Sequence, residues 1–125
     1  MSGRILIGAD KTLVMLINRD AAEISCNGEP MKVLTANTTD AAKEKHVPVA
    51  EVSGNKIFVK VGSVPHPMTA AHLIEWIYLQ TKNGGQYRYL TPADKPEATF
   101  FIDEGDTPLA VYAYCNLHGL WMKQI

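Results

Sequence analysis

From Val47 to the C-terminus the sequence repeats one pattern, a short run of β-branched and aromatic residues followed by a turn signal. In Lys56–Val61, Ile57, Val59 and Val61 alternate with Phe58 and Lys60 at the period of two expected for a strand with one buried face. Val49–Ser53 precedes it, and Ser53-Gly54-Asn55 reads as the hairpin turn between the two. Ile74–Thr81 and Gln86–Leu90 flank Lys82-Asn83-Gly84-Gly85, while Thr99–Ile102 and Leu109–Tyr114 flank the turn-rich stretch 103–108. Six or seven short strands of this kind specify an all-β domain, a sandwich or a barrel. Ile74-Glu75-Trp76-Ile77-Tyr78-Leu79 also fits a helix by periodicity, and its aromatic and β-branched content decides for strand. Thr69-Ala70-Ala71-His72 is expected to form a single helical turn with Thr69 as its N-cap.

Ahead of this run, Arg4–Ile7 and Leu13–Asn18 read as short strands and Cys26-Asn27-Gly28-Glu29-Pro30-Met31 as a turn. Residues 1–36 therefore form a small lobe, and the polar Asn37-Thr38-Thr39-Asp40 leads into the main domain, residues 37–125. A chain of 125 residues has room for one domain with its own core and a small appendage. Twelve basic residues stand against thirteen acidic ones with no basic run, which argues against a nucleic-acid groove or a membrane surface. No apolar run reaches the length of a membrane span, and Met1-Ser2-Gly3-Arg4 lacks the layout of a signal peptide, so a cytoplasmic location is expected.

The chemistry concentrates in the four histidines, His46, His66, His72 and His118, and in Cys115 of Cys115-Asn116-Leu117-His118. His66 lies between Pro65 and Pro67, a frame that forces a loop, and His46 precedes Val47-Pro48, where the chain is pushed extended. All four histidines thus fall outside strand interiors, where a rigid sandwich can present ligands from its loops. In a reducing compartment Cys115, three residues from His118, suits a metal thiolate better than a disulfide with Cys26. Four imidazoles and one thiolate overfill a tetrahedral structural zinc site. They suit a six-coordinate metal such as iron with one position open. The competing reading is a copper electron carrier, because Cys115, His118 and Met122 have cupredoxin-like spacing and His66 could complete the set. That reading leaves His46 and His72 idle.

Four segments carry a closer resemblance: Lys43-Glu44-Lys45-His46-Val47-Pro48-Val49, Gly62-Ser63-Val64-Pro65-His66-Pro67-Met68-Thr69, His72-x-Ile74-Glu75-Trp76-Ile77, and Cys115-Asn116-Leu117-His118-Gly119-Leu120-Trp121. They resemble the signature segments of superoxide reductases, the desulfoferrodoxin and neelaredoxin family, from about residue 26 to the C-terminus. The resemblance implies an immunoglobulin-like antiparallel β-sandwich with one mononuclear iron per chain. In it, His46, His66, His72 and His118 are equatorial ligands and Cys115 is the axial thiolate. The implied activity is one-electron reduction of superoxide to hydrogen peroxide, with electrons from rubredoxin or a similar small carrier. Lys45 then matches the family lysine that steers superoxide and organises proton donation, and Glu44 the glutamate that gates the open position.

Long members of this family carry an N-terminal desulforedoxin-like lobe with a second iron held by four cysteines. Here Asn27 stands where the second of two adjacent cysteines belongs, and residues 1–25 contain no cysteine. One thiolate cannot hold that iron. The lobe is therefore expected without metal, with dimer contact as its role and a homodimer as the assembly.

Overall fold

The computed structural model describes residues 3–20 and 23–125. Met1 and Ser2, half of the stretch read for a leader, lie outside them. The chain divides into two compact units, Met1–Thr35 and Ala36–Ile125.

In the first unit β1 (Ile5–Ile7) pairs antiparallel with β2 (Leu13–Met15) on one side and β5 (Lys32–Val33) on the other. The strand expected over Leu13–Asn18 stops at Met15, because β1 offers partners only as far as Ile5↔Met15; one further bond joins the Leu16 N–H to the Arg4 carbonyl. β3 (Ser25–Cys26) and β4 (Glu29–Pro30) form a small hairpin. Its two turn residues, Asn27 and Gly28, both take positive φ, as a two-residue hairpin turn requires. Asp10 ties this turn to the preceding loop: its carboxylate accepts from the Thr12 N–H at 3.0 Å, the Asn27 side-chain amide at 3.3 Å and the Cys26 thiol at 3.6 Å.

The second unit opens with one short helix, α1 (Lys43–His46), and continues with seven strands: β6 (Pro48–Ser53), β7 (Lys56–Val61), β8 (Ile74–Thr81), β9 (Gly85–Tyr89), β10 (Glu97–Phe101), β11 (Pro108–Cys115) and β12 (Gly119–Gln124). They form two antiparallel sheets, β10-β7-β6 and β12-β11-β8-β9. Ile57, Val59, Val61 and Phe100 from the first sheet meet Ile77, Leu79, Val111 and Ala113 from the second in a core closed to solvent. This is the immunoglobulin-like sandwich expected, with side chains alternating between core and surface. Among the described residues no helix is long and apolar enough to cross a membrane.

Local sequence reading falls short in several places. Gly119–Gln124 carries little β-branched character, yet it forms β12 because it pairs with β11 from Cys115↔Gly119 to Ala110↔Gln124 and buries Trp121 completely. Thr69–His72 is a turn rather than a helix: the Thr69 hydroxyl accepts the His72 N–H, and the His72 carbonyl accepts the Thr69 N–H. The one helical segment of this unit is α1, against which Gly62 packs so closely that a Cβ there would collide with the Glu44 carbonyl.

Candidate metal centre

Topology brings the ligand segments together before any side chain is considered. Pro48, at the start of β6, pairs with Val61, at the end of β7, and Ile74, at the start of β8, pairs with Cys115, at the end of β11. His46 just precedes β6, His66 follows β7, His72 precedes β8, and His118 lies in the turn after β11. All five candidate residues thus lie at one end of the sandwich.

The four imidazoles form a closed ring in the order His46, His66, His72, His118. Successive ring centroids are 4.7, 4.6, 5.1 and 4.8 Å apart, each pair nearly perpendicular. The candidate ligand atoms of His46, His66, His72 and Cys115 all lie within 4.8 Å of one another. His118 falls outside that tight group but approaches it on two sides, with Nδ1 3.0 Å from His46 Nε2 and 3.8 Å from Cys115 Sγ.

Backbone carbonyls set the tautomers. His46 Nδ1–H donates to the Ala42 carbonyl at 2.7 Å, and His66 Nδ1–H donates to the Pro67 carbonyl at 2.6 Å. A carbonyl only accepts, so each ring carries its proton on Nδ1 and leaves Nε2 bare. The two Nε2 atoms nevertheless lie 3.2 Å apart. Two lone pairs at that distance repel unless a cation lies between them. His72 Nε2 is buried beside them with no hydrogen-bond partner. This donor set, soft thiolate plus neutral imidazoles, is that of a transition-metal site.

Electrostatics favour the neutral, metal-binding form of three of the imidazoles. Burial is the main cause that lowers the pKa of His46, His66 and His72, with repulsion among neighbouring imidazoles adding to it, and His66 is pushed down to about 4. Burial also pushes the Cys115 thiol up, against the pull of backbone N–H groups of Leu117 and His118. A metal that binds here must displace that proton.

Two further residues hold the ring in shape. Asn116 accepts the Leu73 N–H at 3.0 Å and donates to the Ala71 carbonyl at 2.9 Å, which fastens the Cys115–His118 turn to the His72 loop. The Trp121 ring lies 4.9 Å from that of His46, and its Nε1–H donates to the His118 carbonyl at 3.1 Å. Asparagine is common in turns, so the sequence offers no signal for the first role. The second is signalled only by Trp121 standing three residues after His118. Lys45 and Glu44 are exposed on α1. The Lys45 charge is near enough to lower the pKa of His72, and that of Glu44 to raise the pKa of His46. The Glu44 carbonyl accepts from the Val64 N–H at 2.9 Å and the Ser63 hydroxyl at 3.3 Å, so α1 and the His66 loop are joined. Met122 pairs with Tyr112 on β11, whose side chain alternates away from the core face bearing Cys115, so nothing here supports the copper reading.

Comparison with known proteins finds relatives over most of the chain. Residues 38–124 match the family described as Desulfoferrodoxin. The desulfoferrodoxin of Syntrophotalea carbinolica is 53% identical over 113 residues, covering 90% of this chain and 87% of that protein. A superoxide reductase of Pyrococcus horikoshii is 36% identical, covering 73% of this chain and 94% of its own length. Among solved structures, the superoxide reductase from Treponema pallidum superposes with a TM-score of 0.82 at 40% identity, covering 96% of this chain and 98% of its own. The superoxide reductase (1Fe-SOR) from Giardia intestinalis gives a TM-score of 0.57 at 35% identity, covering 66% of this chain and 98% of its own. The chain belongs to the desulfoferrodoxin, or superoxide reductase, family of oxidoreductases.

Proposed function

We propose that this chain holds one iron ion through His46, His66, His72, His118 and Cys115 and reduces superoxide by one electron to hydrogen peroxide. The observation that carries the reading is the pair of bare Nε2 atoms of His46 and His66, 3.2 Å apart, with the orphaned His72 Nε2 beside them. The 1Fe in the name of the Giardia relative supports iron as the metal.

Bound there, iron supplies the electron and a coordination position open to a small anion. The protein supplies the rest. Four neutral imidazoles and one thiolate leave a ferrous centre about one unit positive, which draws in an anion. Lys45 adds a second positive charge at the rim and keeps an ammonium proton near the leaving peroxide. Glu44, its neighbour on α1, is the carboxylate that closes the site between turnovers. The Val64 and Ser63 bonds to the Glu44 carbonyl fasten α1, which carries both residues, to the His66 loop. Burial of Cys115 and Trp121 keeps water from the thiolate side.

Each superoxide consumes one electron and two protons, so a small one-electron carrier of the rubredoxin kind must return the electron. A homodimer working in a reducing cytoplasm completes the reading. In the lobe over residues 1–36, the Asp10 bonds to Cys26 and Asn27 take over the cross-linking that a second metal would provide.

The test is product stoichiometry under anaerobic conditions with a supplied reductant. One peroxide per superoxide and no dioxygen is expected. One peroxide per two superoxides, with dioxygen evolved, would mean dismutation instead.

A further inference from the structure

All five tyrosines of the chain lie in one sheet, Tyr112 and Tyr114 on β11, Tyr78 on β8, Tyr87 and Tyr89 on β9, and Trp76 joins them from β8. Val111, Ala113, Ile77 and Leu79 of the same strands point into the core, so alternation turns these aromatic rings to the opposite face. Register arranges them in two rows across the strands, Tyr114–Trp76–Tyr89 and Tyr112–Tyr78–Tyr87. The rings of Trp76 and Tyr114 are stacked, 5.7 Å apart and 10° from parallel, and those of Tyr78 and Tyr112 are 6.2 Å apart. At the sheet edge the rows join, because the Tyr87 and Tyr89 rings are 5.2 Å apart and 55% and 75% exposed.

The segregation is chemical as well as spatial. The three phenylalanines, Phe58, Phe100 and Phe101, all lie in the other sheet. The face behind Cys115 thus carries only rings that can give up an electron, and its first row begins at Tyr114, the residue bonded to Cys115.

We propose that this aromatic face is an oxidation relay, which carries oxidising equivalents from the Cys115 end of the metal centre to the exposed Tyr87–Tyr89 pair. The proposal rests on the iron reading above, whose product, hydrogen peroxide, is the oxidant. Tyrosine and tryptophan yield electrons only to strong oxidants, so the relay is idle while a mild donor reduces the centre. It would run when peroxide meets the iron-loaded centre, whose own oxidation state would be the same before and after. The O–O bond then breaks, and peroxide takes up two electrons and two protons to become two waters. Tyr87 and Tyr89 each lose one electron and one phenolic proton, the electrons passing inward through Trp76 and Tyr114. The two phenoxyl radicals join through a ring carbon–carbon bond, and the hydrogens at that bond move to the oxygens to give dityrosine. Oxidation is thereby spent at the surface instead of on Cys115 or Trp121.

The test treats the iron-loaded protein, the zinc-loaded protein and two iron-loaded variants anaerobically with hydrogen peroxide. It reads tyrosyl radical by electron paramagnetic resonance, dityrosine by fluorescence and peptide mapping, and superoxide consumption on the same samples. Dityrosine at Tyr87 and Tyr89 is expected in the iron protein and not in the zinc protein. Trp76→Phe, which keeps an aromatic ring against Tyr114, is expected to fall to the zinc background with superoxide consumption unchanged. The surface variant Tyr87→Phe/Tyr89→Phe is expected to lose its Cys115 thiolate to peroxide in fewer additions than the parent. An iron protein without tyrosine oxidation, equal dityrosine in Trp76→Phe, or equal Cys115 survival in the surface variant overturns the relay. Dityrosine formation without superoxide consumption would keep the relay and remove the proposed function.

Discussion

His46 Nε2 lies 3.2 Å from His66 Nε2, and neither nitrogen carries a proton to share, because both rings donate from Nδ1 to backbone carbonyls. The contact is repulsive in the metal-free chain and becomes attractive when a cation bridges it. Removal of metal by a chelator is therefore expected to lower the melting temperature, and divalent zinc as well as iron should restore it. Calorimetry with and without metal checks this; an unchanged melting temperature contradicts it.

The same histidines make the metal-free fold sensitive to acid. His66 has its pKa near 4 in the fold, against about 6.5 in an unfolded chain. Between those values the unfolded state binds a proton that the folded state does not, so stability is lost as pH falls through that window. Denaturant unfolding of the metal-free protein at about pH 7 and about pH 5 should give the lower midpoint in acid. In His66→Gln the difference should shrink.

Asn116 connects the Cys115–His118 turn to the His72 loop through two side-chain bonds. Asn116→Ala is expected to cost about 1–3 kcal/mol of stability by leaving the Leu73 N–H and Ala71 carbonyl unpaired. Metal affinity, measured by chelator competition, should fall with it. Asn116→Asp keeps the acceptor and should lose less.

How much of this was legible in the sequence depends on the kind of interaction. The strands over Lys56–Val61 and Ile74–Thr81 carry their own period and appear where expected. β12 does not, since Trp121 and Met122 become strand residues only through pairing with β11. The histidines were legible because no other side chain brings the same chemistry, and their loop positions follow from Pro48, Pro65 and Pro67. Their partners were not. The Ala42 and Pro67 carbonyls that fix the tautomers are groups every residue has, and only the folded chain selects them. Helix α1 was missed for a similar reason, being four residues long and held by the loop at Gly62–Val64 rather than by its own propensity.

Gly62 illustrates that dependence. Its Cβ position is filled by the Glu44 carbonyl. Gly62→Ala must push α1 aside, at a cost of about 1–3 kcal/mol for overpacking. Because α1 carries Lys45, the rate of superoxide reduction should fall along with the unfolding midpoint. A variant that loses neither contradicts the close packing.

Lys45→Ala is expected to lower the second-order rate with superoxide on the order of tenfold at low salt and to flatten its salt dependence, as loss of a steering charge does. Lys45→Arg should retain most of both. Stopped-flow rates over a salt series decide it, and an unchanged rate and slope would return Lys45 to an ordinary solvated lysine.

The most direct test of the whole reading is metal content paired with an optical spectrum, on protein purified without oxygen and then treated with a mild oxidant. Near one iron per chain, with a thiolate-to-ferric band that appears on oxidation and disappears in Cys115→Ser, is the expected result. Zinc or copper in place of iron, or iron without that band, would contradict a centre built on His46, His66, His72, His118 and Cys115.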